Sequence, residues 1–126
     1  MPDFIQITTD RLPHPKVRGN ARVNRFEKAE LIAAEKQYMK DHLLEHFSVG
    51  FSAEPFKKAR VTYNFWNPRE IDWDNFLIGC KAWMDAIVEA GILVDDKPSV
   101  LSIVLEGWHK CKRGEEKVVI EIEERE

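Results

Sequence analysis

The chain has 126 residues, 44% of them hydrophobic and 33% charged, enough for one compact core but with no apolar run near the ~20 residues of a membrane span. A net charge of −3 argues against a uniformly basic nucleic-acid binder, yet residues 11–28 set Arg11, Lys16, Arg18, Arg22, Arg25 and Lys28 against Glu27 alone, and residues 115–126 set six glutamates against Lys117 and Arg125. Two cysteines, Cys80 and Cys111, and a start without a signal-peptide pattern suit a reduced, intracellular (cytoplasmic) protein with no membrane partner.

In chain order, Phe4 to Thr8 reads as a short strand with Ile5 and Ile7 on one face. A basic, proline-containing loop follows from Leu12 to Asn24. Ala29, Ile32, Met39, Leu43 and Phe47 recur at helical spacing between Arg25 and Phe47, and Gly50 offers a stop. Ala59, Val61, Tyr63 and Phe65 alternate with polar residues, the period of a strand with one buried face, until Asn67-Pro68-Arg69 breaks it. A second helix is expected from about Asp74 to Ala90, burying Phe76, Cys80, Trp83, Met84 and Ile87 and stopping at Gly91. Val100 to Leu105 and Lys117 to Glu123 read as the last strands, joined by a loop with Lys110, Lys112, Arg113 and Gly114. The expected fold is α+β: a single domain over residues 1–126, with a mixed four-stranded sheet packed by two helices in the order β-α-β-α-β-β.

Two acidic groups flank the second helix, Asp72-Trp73-Asp74-Asn75 before it and Asp95-Asp96 after it. Carboxylates about 4 Å apart repel by roughly 4 kcal/mol at an effective dielectric of 20, so gathering them requires protons, basic side chains or a metal. Oxygen donors without thiolate or imidazole partners select Mg²⁺ or Mn²⁺, ions that serve phosphodiester hydrolysis by activating water and neutralising phosphate charge. On the helix, Asp74, Lys81 and Asp85 share one polar stripe, Lys81 and Asp85 each within about 20° of Asp74 in azimuth. The structural alternative makes Asp72 or Asp74 an N-cap and Lys81–Asp85 an exposed ion pair.

The ordered set Asp72-Trp73-Asp74-Asn75, Lys81, Asp85-Ala86, Ala90-Gly91 and Asp95-Asp96, followed by Lys110-Cys111-Lys112-Arg113-Gly114 and the strand Lys117-Val118-Val119-Ile120, resembles the RusA family of Holliday-junction resolvases. The resemblance covers roughly residues 59–123. It implies a Mg²⁺-dependent (or Mn²⁺-dependent) endodeoxyribonuclease that resolves four-way junctions or related branched DNA by paired nicking as a homodimer. It places metal-binding carboxylates at Asp72, Asp74 and Asp96, with Asp95 as the alternative to Asp96, and the functional lysine at Lys81. Lys81 stands six residues after Asn75, where the family pattern has three. It also implies a closing hairpin with a basic loop. Arg18, Arg22, Arg25, Lys110, Lys112 and Arg113 are the candidate phosphate contacts.

Two other readings compete. His42-Leu43-Leu44-Glu45-His46 has the H-x-x-E-H form of a zinc hydrolase, with His42, Glu45 and His46 as its residues, although histidines near a helix C-terminus are also favoured by the helix dipole. A non-catalytic DNA-junction or protein-binding module would leave the acidic cluster structural. In that case Trp66, Trp73 and Trp108 are candidates for base or protein contacts, with the core as their ordinary place.

Overall fold

The computed structural model describes residues 4–17, 24–46 and 54–125. The elements run β1 (Phe4–Thr8), a 3-10 turn (Pro15–Val17), α1 (Arg25–His46), β2 (Ala59–Trp66), α2 (Trp73–Glu89), β3 (Leu101–His109) and β4 (Lys117–Glu124). This is the α+β order expected from the sequence, with one mixed four-stranded sheet. Two compact units make up the chain. A sheet unit comprises Met1–Leu12, Glu54–Glu70 and Leu93–Glu126, and a helical unit comprises Pro13–Ala53 and Ile71–Ile92. Among the described residues, no helix is long and apolar enough to cross a membrane.

In the sheet unit the strand order is β1-β4-β2-β3; β4 is antiparallel to β1 and β2, and β3 is parallel to β2. Alternation along β2 buries Ala59, Val61, Tyr63 and Phe65. Register continues that face through Ile120 opposite both Ile7 and Tyr63, Ile122 opposite Val61, and Val118 opposite Phe65. The closing hairpin does not form: β2 lies between β3 and β4, which do not pair with each other. β2 has buried side chains at every second position and suits the interior, whereas β3, with Ile103 49% and Val104 38% exposed, takes the edge. β3 also runs beyond its expected end at Leu105. One extra residue, Glu106, is absorbed where Tyr63 faces Leu105 and Asn64 faces Gly107, and pairing then resumes to His109.

In the helical unit, the Asn24 side chain caps α1 by accepting the Glu27 N–H at 2.8 Å. The apolar stripe of α1 differs from the expected one. Met39 and Leu43 are buried, but Ala29 and Ile32 are exposed, and Phe47 and Gly50 lie outside the described residues. Glu35, one turn before Met39, is buried instead, at 2% exposure. Its carboxylate accepts the Trp83 indole N–H at 2.8 Å and the His14 backbone N–H at 2.9 Å. Those bonds offset the desolvation of a buried carboxylate. The Tyr38 ring stacks on Trp83 with centroids 5.6 Å apart, and Lys36 and Lys40 hold Glu89 of α2 at 2.8 and 3.2 Å.

α2 buries the expected Phe76, Cys80, Trp83, Met84 and Ile87. It ends in a Schellman motif: Gly91 N–H donates to Val88 O at 3.0 Å, Ile92 N–H donates to Ile87 O at 3.3 Å, and Gly91 has φ +84°. A Cβ on Gly91 would meet nothing within 4 Å, so its substitution isolates backbone strain from packing. Gly91→Ala is expected to lower unfolding stability by about 1 kcal/mol, and Gly91→Asn by less, in urea titrations. Glu35→Ala removes the acceptor of the buried Trp83 indole N–H and the part-buried His14 N–H and is expected to cost about 2–4 kcal/mol in the same titration. A loss below 0.5 kcal/mol, roughly the range of a neutral surface change, would show that the Glu35 bonds carry no weight.

Candidate active site

The start of α2 arises from a conflict between sequence polarity and packing. Trp73 turns edge-on to the buried Phe76, with centroids 5.9 Å apart, and leaves its neighbours Asp72 and Asp74 exposed. Asp72 occupies the N-cap position with extended backbone (φ −60°, ψ 140°), and its carbonyl accepts the Phe76 N–H at 3.0 Å. Its carboxylate makes no capping hydrogen bond. Asp74 Oδ1 accepts the N–H of the adjacent Asn75 at 3.0 Å. Neither aspartate forms an ion pair among the described residues. The helix dipole favours both charges at this end.

Further along α2, Lys81 Nζ lies 3.2 Å from Asp85 Oδ1, with the two side chains 66% and 41% exposed. Such a pair contributes roughly 0.3–0.5 kcal/mol. Three residues after Asn75, where the family pattern has its lysine, stands Ile78, itself 47% exposed.

The second acidic pair belongs to the sheet unit. Leu93 forms a parallel bridge with Phe56, and the Val94 N–H donates to Phe56 O at 3.1 Å. Asp95 then folds back on its own turn. Its Oδ1 accepts the Asp96 N–H at 2.7 Å, and its Oδ2 lies 3.5 Å from Lys97 Nζ. The Asp96 N–H, aided by the Lys97 charge, holds the Asp95 carboxyl below the usual carboxylate range. The turn closes through Lys97 O, which accepts the Val100 and Leu101 N–H groups at 2.8 Å, and opens β3 beside Ala59.

Within the sheet, parallel pairing of β2 and β3 places the Asp95–Asp96 turn at the Ala59 end. The 110–116 loop sits at the other end, where Trp66 pairs with His109 and Lys117. Eight residues of β2 make that separation about 26 Å. The chain leaves β2 at the loop's end and reaches Asp72 six residues after Trp66. Among the described residues, no group of three or more His, Cys, Asp or Glu side chains is assembled to hold a metal ion. By donor chemistry Asp72 and Asp74 fit Mg²⁺ or Mn²⁺: both are exposed oxygen ligands outside any ion pair among the described residues.

Of the basic candidates, Arg25 begins α1 with its guanidinium 5.1 Å from the Phe26 ring centroid. Lys110, Lys112 and Arg113 are exposed in the loop between β3 and β4. Arg18 and Arg22 lie outside the described residues. Arg69 of the Asn67-Pro68-Arg69 break, not among the sequence candidates, lines one cavity with Arg113. Its signal was faint, since a lone arginine after a proline turn resembles any solvated charge.

In the H-x-x-E-H segment, His42 is half-buried and stacks on Tyr38 with centroids 6.0 Å apart, while Glu45 is exposed. The His46 side chain lies outside the described residues. Cys80 is a buried free thiol, as expected. Burial, with the charges of Glu116 and Glu115, pushes the Cys111 thiol up. No protein-family model matches the chain, and no curated protein matches it.

Proposed function

We propose that the protein is a Mg²⁺-dependent or Mn²⁺-dependent endodeoxyribonuclease of the RusA type, intracellular and homodimeric, that nicks four-way junctions or related branched DNA. The observation that carries this reading is the opening of α2 on two exposed carboxylates outside any ion pair among the described residues, with the N-cap Asp72 making no side-chain capping bond. An N-cap aspartate kept only for helix stability would spend its oxygen on the N2 or N3 backbone N–H, which Asp72 does not; Asp74 gives one oxygen to the N3 donor, the Asn75 N–H.

Asp72 and Asp74 bind the ion, and Asp96 is the third donor implied by the family pattern. Asp95, which closes its own turn, is the alternative donor. When bound, a divalent ion supplies Lewis acidity, which activates water and neutralises charge on the phosphate. Lys81 adds positive charge on the same helix stripe as Asp74. Arg18, Arg22, Arg25, Lys110, Lys112 and Arg113 bind backbone phosphates. A four-way junction presents two equivalent scissile phosphates, and a two-fold dimer addresses both. A dimer also offers each Asp72–Asp74 pair a second Asp96, from the other copy.

The direct test is cleavage of a four-way DNA junction in Mg²⁺ or Mn²⁺. Asp74→Asn is expected to abolish cleavage with the fold intact by circular dichroism, whereas changes at Glu45 or His46 leave it nearly unchanged. Because asparagine caps a helix about as well as aspartate, a purely structural Asp74 predicts full activity in Asp74→Asn. Retained activity in that variant, with loss of activity and of bound zinc on changing His46, would replace the nuclease reading with a zinc hydrolase.

Binding should separate from cleavage. Neutralising Lys112 and Arg113 together is expected to weaken junction binding and to flatten the plot of log affinity against log salt by about 0.9 per lost phosphate contact. Asp72→Asn, which removes negative charge near DNA, should bind as tightly as the parent or more so. An unchanged salt slope in the double variant would remove the loop from the interface.

A further inference from the structure

The end of the sheet at which β2 stops carries an aromatic and basic cluster that phosphodiester cleavage does not require. Trp66 is flanked by register from both sides, by His109 of β3 and Lys117 of β4. The His109 ring stacks on the indole with centroids 4.4 Å apart and 21° between planes, and Lys117 Nζ lies 4.5 Å from the Trp66 ring centroid. His109 is also held edgewise, its Nε2 3.0 Å from Asn64 Oδ1. The residue as a whole is exposed.

The adjoining segment is pinned. Asn67 N–H donates to His109 O at 3.1 Å, Trp108 Nε1–H donates to Asn67 O at 3.0 Å, and Asn67 Nδ2 donates to Arg69 O at 2.7 Å. Beside it lies a cavity of about 210 Å³ lined by Asn67, Pro68, Arg69, Arg113 and Glu116. The one carboxylate in that lining is engaged in the loop, where Glu116 accepts the Gly114 N–H. Neither Arg69 nor Arg113 forms an ion pair among the described residues. The cavity is smaller than the roughly 300–1,000 Å³ of pockets that enclose a whole drug-sized ligand, so it suits one group of an extended ligand. Two guanidinium forks select a phosphate for that group.

We propose that this end of the sheet binds an unpaired nucleotide of a DNA strand, with its phosphate between Arg69 and Arg113 and its base on the outer face of the His109 ring. The stack selects an unpaired base, because bases in a duplex already stack on one another, while an exposed aromatic face accepts any base. Lys110 and Lys112, exposed in the same loop, extend the positive track along the strand. The site deepens the branched-DNA reading and rests on it for the choice of DNA, since branch points are where such nucleotides occur.

Binding is measured by fluorescence anisotropy in EDTA, so that cleavage plays no part. The probes are a labelled oligothymidylate and a matching oligomer of abasic units, which keeps the phosphates and lacks the bases. Arg69→Gln and Arg113→Gln are each expected to weaken both probes by about tenfold, the scale of a charge-assisted hydrogen-bond pair. Lys57→Gln, an exposed charge elsewhere on the sheet unit, is expected to change binding less than about twofold. His109→Ala is expected to weaken the oligothymidylate by about fivefold or more and to spare the abasic oligomer, and His109→Phe should restore the loss. Arginine variants no weaker than Lys57→Gln would overturn the phosphate site. Equal effects of His109→Ala on both probes, or none on either, would overturn the stacked base. If binding behaves as stated and no junction is cut in Mg²⁺ or Mn²⁺, the nuclease reading fails while the nucleotide site stands. If junctions are cut and the variants bind like the parent, this site alone fails.

Discussion

Hydrogen bonding along both edges of β2 organises the sheet. Ala59 to Trp66 pairs parallel with β3 on one side and antiparallel with β4 on the other, which satisfies the backbone of an interior strand whose alternate side chains are buried. A parallel partner requires a long return path, and residues 67–100 with α2 supply it. The functional consequence is a polarity. The acidic turn that precedes β3 and the basic loop that follows it stand at opposite ends of the sheet.

The acidic residues divide by what their oxygens do. Glu35 is buried and accepts two hydrogen bonds, so its charge belongs to the helical unit's core. Glu89 is held by Lys36 and Lys40, whose hydrogen bonds and charges lower its pKa, and Glu123 is paired with Arg60 across the sheet. Asp85 meets Lys81, and Asp95 closes its own turn. Asp72 and Asp74 differ in being exposed and outside any ion pair among the described residues, Asp72 making no capping bond and Asp74 accepting only the adjacent Asn75 N–H. The proposed chemistry falls on them because a carboxylate already paired with a cationic side chain must give that partner up before it ligates an ion.

The basic residues divide the same way. Arg60 and Lys97 have carboxylate partners, whereas Arg69 and Arg113 face a cavity whose single carboxylate bonds to backbone. Two guanidinium groups outside any ion pair among the described residues, against one carboxylate, leave a net positive lining that attracts anions. The Trp66–His109 stack beside it adds an apolar, planar surface, so phosphate and base are recognised by different physics at adjoining positions.

Local pattern was sufficient for much of this molecule. Period-two alternation marked β2, helical spacing marked the buried face of α2, and Gly91 marked its end, because each signal arises within one element and its turn. The same holds for Asp72 and Asp74 as candidates, since two carboxylates at a helix start are visible at sequence separation two. Other features were decided by partners distant in sequence. Glu35 reads as a surface residue until Trp83, 48 positions away, and the backbone of His14 supply its donors, so the buried stripe of α1 was placed wrongly from Ala29 and Ile32. The pairing of β3 and β4 with β2 rather than with each other, the bulge at Glu106, and the meeting of Arg69 with Arg113 depend on strand order. Strand order is set by which strand has most apolar surface to bury and by backbone pairing across the whole sheet, a competition among segments that no single segment's composition expresses.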